Sequence, residues 1–153
     1  MQIIIFIIIF AERNKKGDAM LLIKELIKSV GLKATPQRIA IYESMRKLGH
    51  ACADMVVEDL KDKFPTLTVA TIYNVLESFV DAGLLVKRFS LNHKMYFDVN
   101  TYEHAHCYDT VNNNFIDVDD PNLIKLINDY ISTKEIENFE VEGVDIQIVG
   151  KQK

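Results

Sequence analysis

Asp98, His104, His106 and Asp117 lie in the run FDVNTYEHAHCYDTVNNNFID and have the residue types and spacing of a metal site. A carboxylate stands six residues before a His-x-His pair, and a second carboxylate follows eleven residues after it. His50, far upstream, is the remaining candidate ligand. Imidazole with carboxylate suits first-row divalent metals such as iron, manganese or zinc, and no thiolate is needed. With His50 included, one metal would tie together two distant parts of the chain, as a sensor requires. On the residues alone the bland alternative stays open. Histidine pairs on strands are often surface residues, and a single histidine before a helix is often a cap or loop residue. His93 matches no ligand position, and Asp119 and Asp120 fit the cap of a following helix better than a metal.

Two kinds of element must hold these side chains. From Met20 the pattern is helical, with Leu22, Leu26 and Ile27 or Val30 on one face and Gly31 as the stop. Thr35-Pro36 reads as an N-cap and first helical position, opening a second helix with Ile39, Tyr42 and Leu48 among its apolar positions and Gly49 at its end. A third helix runs from about Ala53 to Phe64, before Pro65. Thr68 caps the fourth, VATIYNVLESFVDAG, with Leu67 and Ile72 at staple spacing; Val75, Leu76, Phe79 and Val80 face inward, and Gly83 closes it. The period then drops toward two, and LLVKRFS and MYFDV form a hairpin around Asn92-His93-Lys94. Helices followed by a hairpin are the order of a winged helix-turn-helix, in which the fourth helix reads DNA and the hairpin is the wing.

Residues 99–103 are polar enough for a hinge. Two strands follow, about 104–111 and 115–118, then a helix opened by Asp120-Pro121 and a last strand, GVDIQIVG. The expected fold class is therefore α+β: a winged helix-turn-helix domain over residues 20–98 and a small α/β domain over 104–153. The second has too little core to be stable alone and should dimerise through its sheet.

The net charge of −4 argues at first against nucleic acid, but the distribution reverses that reading. Residues 20–90 carry ten Lys/Arg against eight Asp/Glu, whereas residues 91–153 carry five against twelve. Such asymmetry can separate a DNA-facing part from a metal- or partner-facing part. Two cysteines, Cys52 and Cys107, cannot supply a disulfide framework or a four-thiolate zinc site, and a cytoplasmic protein with reduced thiols is expected. The opening MQIIIFIIIF covers only about 15 Å as a helix, half of a bilayer core, so no membrane span is expected. It lacks a basic n-region and a cleavage site, so it is not read as a signal peptide. Residues 1–19 are expected to be a non-native or disordered leader, with the natural chain beginning at Met20.

The DNA-reading face can be named from the same elements. The N-terminal turn of the fourth helix offers Thr68 and Thr71 to phosphate, while Tyr73 and Asn74 can reach base edges. Lys33, Thr35, Gln37 and Arg38 lie at the start of the second helix, where a backbone or minor-groove contact is expected, and Lys87 and Arg88 sit on the wing. A solvated helical face with an ordinary cap would look the same.

The segments LKATPQRIAIYESM, HACADMVVEDL and LTVATIYNVLESFVDAGLL together resemble the ferric uptake regulator family, in order and spacing, over essentially residues 20–150. The resemblance implies a homodimeric winged-helix repressor of double-stranded operator DNA, not an enzyme, with one regulatory Fe²⁺ or Mn²⁺ per subunit held by His50, Asp98, His104, His106 and Asp117. An aspartate at position 117 is similar to the peroxide-sensing branch, where iron-responsive members more often carry glutamate. The shorter carboxylate implies a more open iron that accepts peroxide, with His50 and His104 as the positions oxidised and Mn²⁺ supporting DNA binding without that reaction. Departures are equally informative. Where most members place structural-zinc cysteines, this chain has Asp109 and Asn112, and none follows near the C-terminus, so structural zinc is not expected. Asn74 replaces the arginine common in the reading helix. Iron, manganese or zinc homeostasis, a metal-independent DNA-binding module, and a non-haem iron enzyme are the rival expectations.

Overall fold

The computed structural model describes residues 16–153. They form two compact units, one of the described residues up to Phe89 with Met95–Thr101, the other of Ser90–Lys94 with Tyr102–Lys153. The expected leader lies outside the described residues up to residue 15, but the first helix, α1 (Lys16–Ser29), already begins four residues before Met20.

In the first unit α1 is followed by α2 (Pro36–Leu48), β1 (His50–Ala51), α3 (Ala53–Leu60), α4 (Val69–Asp81), β2 (Val86–Phe89) and β3 (Met95–Asp98). Helix α1 stops at Gly31, whose φ of 81° lets its N–H reach Lys28 O at 2.9 Å while Leu32 N–H reaches Ile27 O at 3.1 Å. That geometry closes a helix and suits glycine. The inner face is Ile23, Leu26 and Ile27, at i, i+3 and i+4; Leu22, expected inside, is only half-buried, one step round toward solvent. Thr35 caps α2 by accepting from Arg38 N–H at 3.3 Å, and Thr68 caps α4 by accepting from Thr71 N–H at 3.2 Å. Helix α3 is shorter than expected and ends at Leu60. In α4 the buried stripe is Ile72, Leu76 and Phe79; Val75 and Val80 are half-buried flanks. Phe79 meets Tyr42 of α2 edge-on, ring centres 5.5 Å apart.

The hairpin forms as expected, but its sheet has a third strand: the order is β1-β3-β2, antiparallel throughout. Two-residue β1 pairs His50 with Asp98 and Ala51 with Phe97.

The second unit contains β4 (Ala105–Asp109), β5 (Asn114–Val118), α5 (Pro121–Ser132) and β6 (Gln147–Gly150). Its sheet order is β5-β4-β6, antiparallel between β4 and β5 and parallel between β4 and β6. Only the second half of the expected last strand pairs. Asp120 caps α5, accepting from Asn122 N–H at 3.0 Å and Leu123 N–H at 3.1 Å. No residue of α5 is buried, and Leu126 and Tyr130 are 65% and 59% exposed in the single chain. Among the described residues no helix is long and apolar enough to cross a membrane.

Candidate metal centre and DNA-reading face

Alternation along β4 decides which histidines can cooperate. Residues two apart share a face, so His104, just before the strand, and His106 lie together, with ring centres 4.3 Å apart. The antiparallel register sets Asp117 directly opposite His106. Asp117 Oδ1 lies 3.2 Å from His104 Nε2 and 3.7 Å from His106 Nε2. Donor atoms of the three lie within 4.8 Å of one another, and both imidazoles are buried.

The chemistry of this cluster calls for a cation. His104 Nδ1 is 2.7 Å from the backbone oxygen of Tyr102. A carbonyl only accepts, so Nδ1 carries the hydrogen, which in the neutral ring leaves the lone pair on Nε2. That lone pair faces a carboxylate oxygen. Two electron-rich atoms at this distance attract only through a positive charge between them, a proton or a metal ion. A histidine whose other nitrogen is held by a carbonyl is also the usual orientation of a metal ligand. The Tyr102 ring adds packing from the side, 4.7 Å from the His104 ring centre.

In the first unit the pairing of β1 with β3 sets His50 opposite Asp98, with Nε2 3.4 Å from Oδ2. Asp98 has no solvent exposure, and its Oδ1 accepts the Asn100 N–H at 2.8 Å. Arg88 also points here, its Nε 3.5 Å from Asp98 Oδ2. A buried carboxylate needs such partners, since an isolated one would cost several kcal/mol of desolvation, about the scale of a buried ion.

The DNA-reading residues divide sharply. Thr68, Thr71, Tyr73 and Asn74 line an exposed face of α4, and Lys33 and Gln37 are exposed at the start of α2. Thr35 is occupied as a cap, and Arg38 donates from Nη1 to Lys33 O at 3.1 Å. Arg88 lies on the wing strand β2, but its side chain does not face outward. Val86 pairs with Asp98, and Arg88 shares Val86's face, so its side chain turns inward and is 12% exposed. Lys87 lies on the opposite face, its Nζ 2.6 Å from Glu77 Oε2. The Glu77 carboxylate raises the pKa of both neighbours, the Tyr73 phenol and the Lys87 ammonium that it accepts from. Sequence reading missed the pairing of Lys87 with Glu77.

Asp109 and Asn112, which stand at the first pair of expected zinc-cysteine positions, hold their turn by hydrogen bonds. Asp109 is 3% exposed; its Oδ1 accepts Val111 N–H at 2.9 Å and its Oδ2 accepts Asn112 Nδ2 at 2.6 Å. Beside it Thr110 N–H reaches Gly150 O on β6 at 3.0 Å. The Val111 and Asn112 donors hold the Asp109 carboxyl below its usual pKa. A depressed carboxyl pKa contributes stability above the unfolded value, about 3.9, which is lost as pH falls through the lower folded value. Asp109→Asn is therefore expected to lower the urea midpoint at neutral pH and to shrink the difference between variant and parent below pH 4, roughly the unfolded carboxyl range. A difference that is the same at neutral and acid pH would contradict this. The two cysteines are not joined: Cys52 is buried at the start of α3 and Cys107 is half-buried on β4.

The sequence model of the ferric uptake regulator family matches residues 29–149. The Peroxide operon regulator of Bacillus subtilis (strain 168) is 37% identical over 83 residues, which is 54% of this chain and 57% of the relative. The Peroxide-responsive repressor PerR of Staphylococcus epidermidis is 39% identical over 84 residues, 52% of this chain and 54% of the relative. The matched stretch thus spans about half the length of these curated relatives. Among solved structures, the ferric uptake regulator of Vibrio cholerae superimposes with a TM-score of 0.70 at 23% identity, covering 84% of this chain and 98% of that one. This last likeness concerns the fold, an α+β arrangement of helices and two small sheets.

Proposed function

The chain belongs to the ferric uptake regulator family, and from that membership we propose that it is a metal-dependent transcriptional repressor that binds operator DNA as a homodimer and responds to peroxide. The observation that carries the reading is His104 Nε2 set 3.2 Å from the Asp117 carboxylate, with His106 beside it. His104, His106 and Asp117 are the proposed core ligands of Fe²⁺ or Mn²⁺, with His50 and Asp98 completing the set. Three imidazoles and two carboxylates match these borderline-to-hard ions, and no thiolate is required.

The residues' own roles follow from their chemistry. Tyr102 O fixes the ring of His104 so that Nε2 is the donor. Asp117 sets the negative charge that retains a divalent ion. Ligands drawn from both ends of residues 50–117 would make domain geometry depend on metal, so that only the loaded homodimer matches two half-sites. The exposed Leu126 and Tyr130 on α5, with Ile148 and Val149 on β6, support self-association. The wing and α4, with Lys33, Gln37, Thr68, Thr71, Tyr73 and Asn74, are the proposed DNA contacts; Arg88 is left out because its charge is spent on Asp98.

The peroxide-sensing part of the proposal draws on the peroxide-regulator names of the two curated relatives and on the short carboxylate at position 117. Bound iron would supply the electron that activates peroxide, which Mn²⁺ does not readily do. The expected result is one oxygen added to the His50 or His104 peptide, read by mass spectrometry, in Fe²⁺-loaded protein treated with hydrogen peroxide and not in the Mn²⁺-loaded protein. Asp117→Glu, one methylene longer, is expected to keep metal-dependent DNA binding and lose most of that oxidation. Equal oxidation in the parent and Asp117→Glu would remove the role given to Asp117.

A further inference from the structure

Helix α4 has an unusual charge pattern for a helix that lies on a polyanion. It contains no lysine or arginine, and it carries two acids, Glu77 and Asp81. Its first turns, through Asn74, present hydroxyls, an amide and a phenol. The nearest cation of the wing, Lys87, is already engaged: its ammonium meets Glu77 at 2.6 Å, with the two side chains 36% and 25% exposed. The Tyr73 ring rests edge-on against Phe97 of β3, ring centres 5.8 Å apart and planes at 77°. Phe97 pairs across the sheet with Lys87, which puts Tyr73, Phe97 and Lys87 on one side of the wing.

A partly exposed ion pair of this kind contributes little to folding. Its consequence for DNA is larger, because sequence-independent affinity comes from cations that neutralise phosphates, whereas base edges are read by oriented polar and apolar groups.

We infer that Glu77 is a specificity-determining residue: it occupies Lys87, so the wing does not grip arbitrary phosphates and discrimination is left to the base-reading groups of α4. The inference rests on the DNA-binding reading above. Glu77 acts through Lys87 and is a positioning residue, not itself a DNA contact.

The test uses the full chain with Mn²⁺ and a mixed-sequence duplex, measuring affinity against salt concentration. Four proteins are compared: the parent, Lys87→Met, Glu77→Gln and the double variant. Lys87→Met is expected to keep the parental salt dependence, since Lys87 contributes no phosphate contact. Glu77→Gln releases Lys87, so the log–log slope should steepen by about one, an additional loss of about fourfold in affinity between 50 and 200 mM salt. The double variant should return to the parental slope.

Two results would overturn the inference. A slope about one unit shallower in Lys87→Met alone would mean that Lys87 already holds a phosphate. A steepened slope persisting in the double variant would mean that the gain comes from losing a negative charge and not from freeing Lys87. Circular dichroism checks that each variant is folded, and the Lys87→Met arm decides the question even if Glu77→Gln is not. If the parent binds no duplex at low salt with either Mn²⁺ or chelator, the DNA-binding reading fails and this inference with it. The slopes above leave that reading standing.

Discussion

Replacing His106 by alanine is expected to lower Mn²⁺ affinity by at least about 100-fold, more than is typical of losing a partner that merely orients a ligand, and to abolish metal-dependent DNA binding. His106 is 1% exposed and faces Asp117 across the β4–β5 ladder, so no water or neighbouring side chain can take its place without rebuilding the strand. The ring also packs edge-on against Phe115, ring centres 5.9 Å apart. Some loss of stability in the variant is therefore expected even without metal. The control is His93→Ala. His93 sits in the wing turn with a φ of 62° and matches no ligand position, so its removal should leave Mn²⁺ affinity unchanged. Isothermal titration of both variants with Mn²⁺ separates the two. Unchanged affinity in His106→Ala would remove β4 from the metal centre.

The second large effect is on the scaffold. Phe79→Ala is expected to cost about 3–5 kcal/mol, a large part of the roughly 5–15 kcal/mol that holds a domain folded. Phe79 has no solvent exposure and joins α4 to α2 through Tyr42. Its removal takes away the contact that seats the reading helix, and the neighbours Leu76 and Ile72 cannot fill an aromatic-sized hole. The urea midpoint should fall accordingly, and DNA binding should fail even with saturating metal. A loss below about 1 kcal/mol would mean that the site collapses around the cavity more completely than packed cores usually do.

What could be read from the sequence depended on how local the cause was. Thr68, Thr35 and Asp120 bond backbone groups two or three residues away, and Gly31 supplies a positive φ by itself, so the ends of α1, α2, α4 and α5 were legible. The register that sets His106 opposite Asp117 needed the coordinates, because β4 ends at Asp109 and not at Val111, but the existence of the β4–β5 hairpin was equally legible. The pairing of His50 with Asp98 was not. A strand of two residues has no period, and its partner is remote in sequence. The wing shows a different failure. Adjacent residues on β2 must face opposite ways, so Lys87 and Arg88 could not both point outward. Which of them turned toward Asp98 depended on the β2–β3 register, which pairs Val86 with Asp98. Leu22 failed for a related reason: with apolar residues at four successive positions, 20 to 23, periodicity alone does not choose the inner one. Asp109 was legible only as a departure from a zinc-cysteine pattern. Its role in bonding the turn between β4 and β5 needed the coordinates.

The account stands on metal control of DNA binding, and an equilibrium titration reads it most directly. The full chain is stripped with chelator, then titrated with Mn²⁺ against a duplex from the regulatory region upstream of its own gene, at fixed salt. DNA binding should be absent or weak in chelator and should rise with Mn²⁺ to saturation at one ion per subunit. Equal affinity with and without chelator would contradict the account and leave a DNA-binding module without metal control.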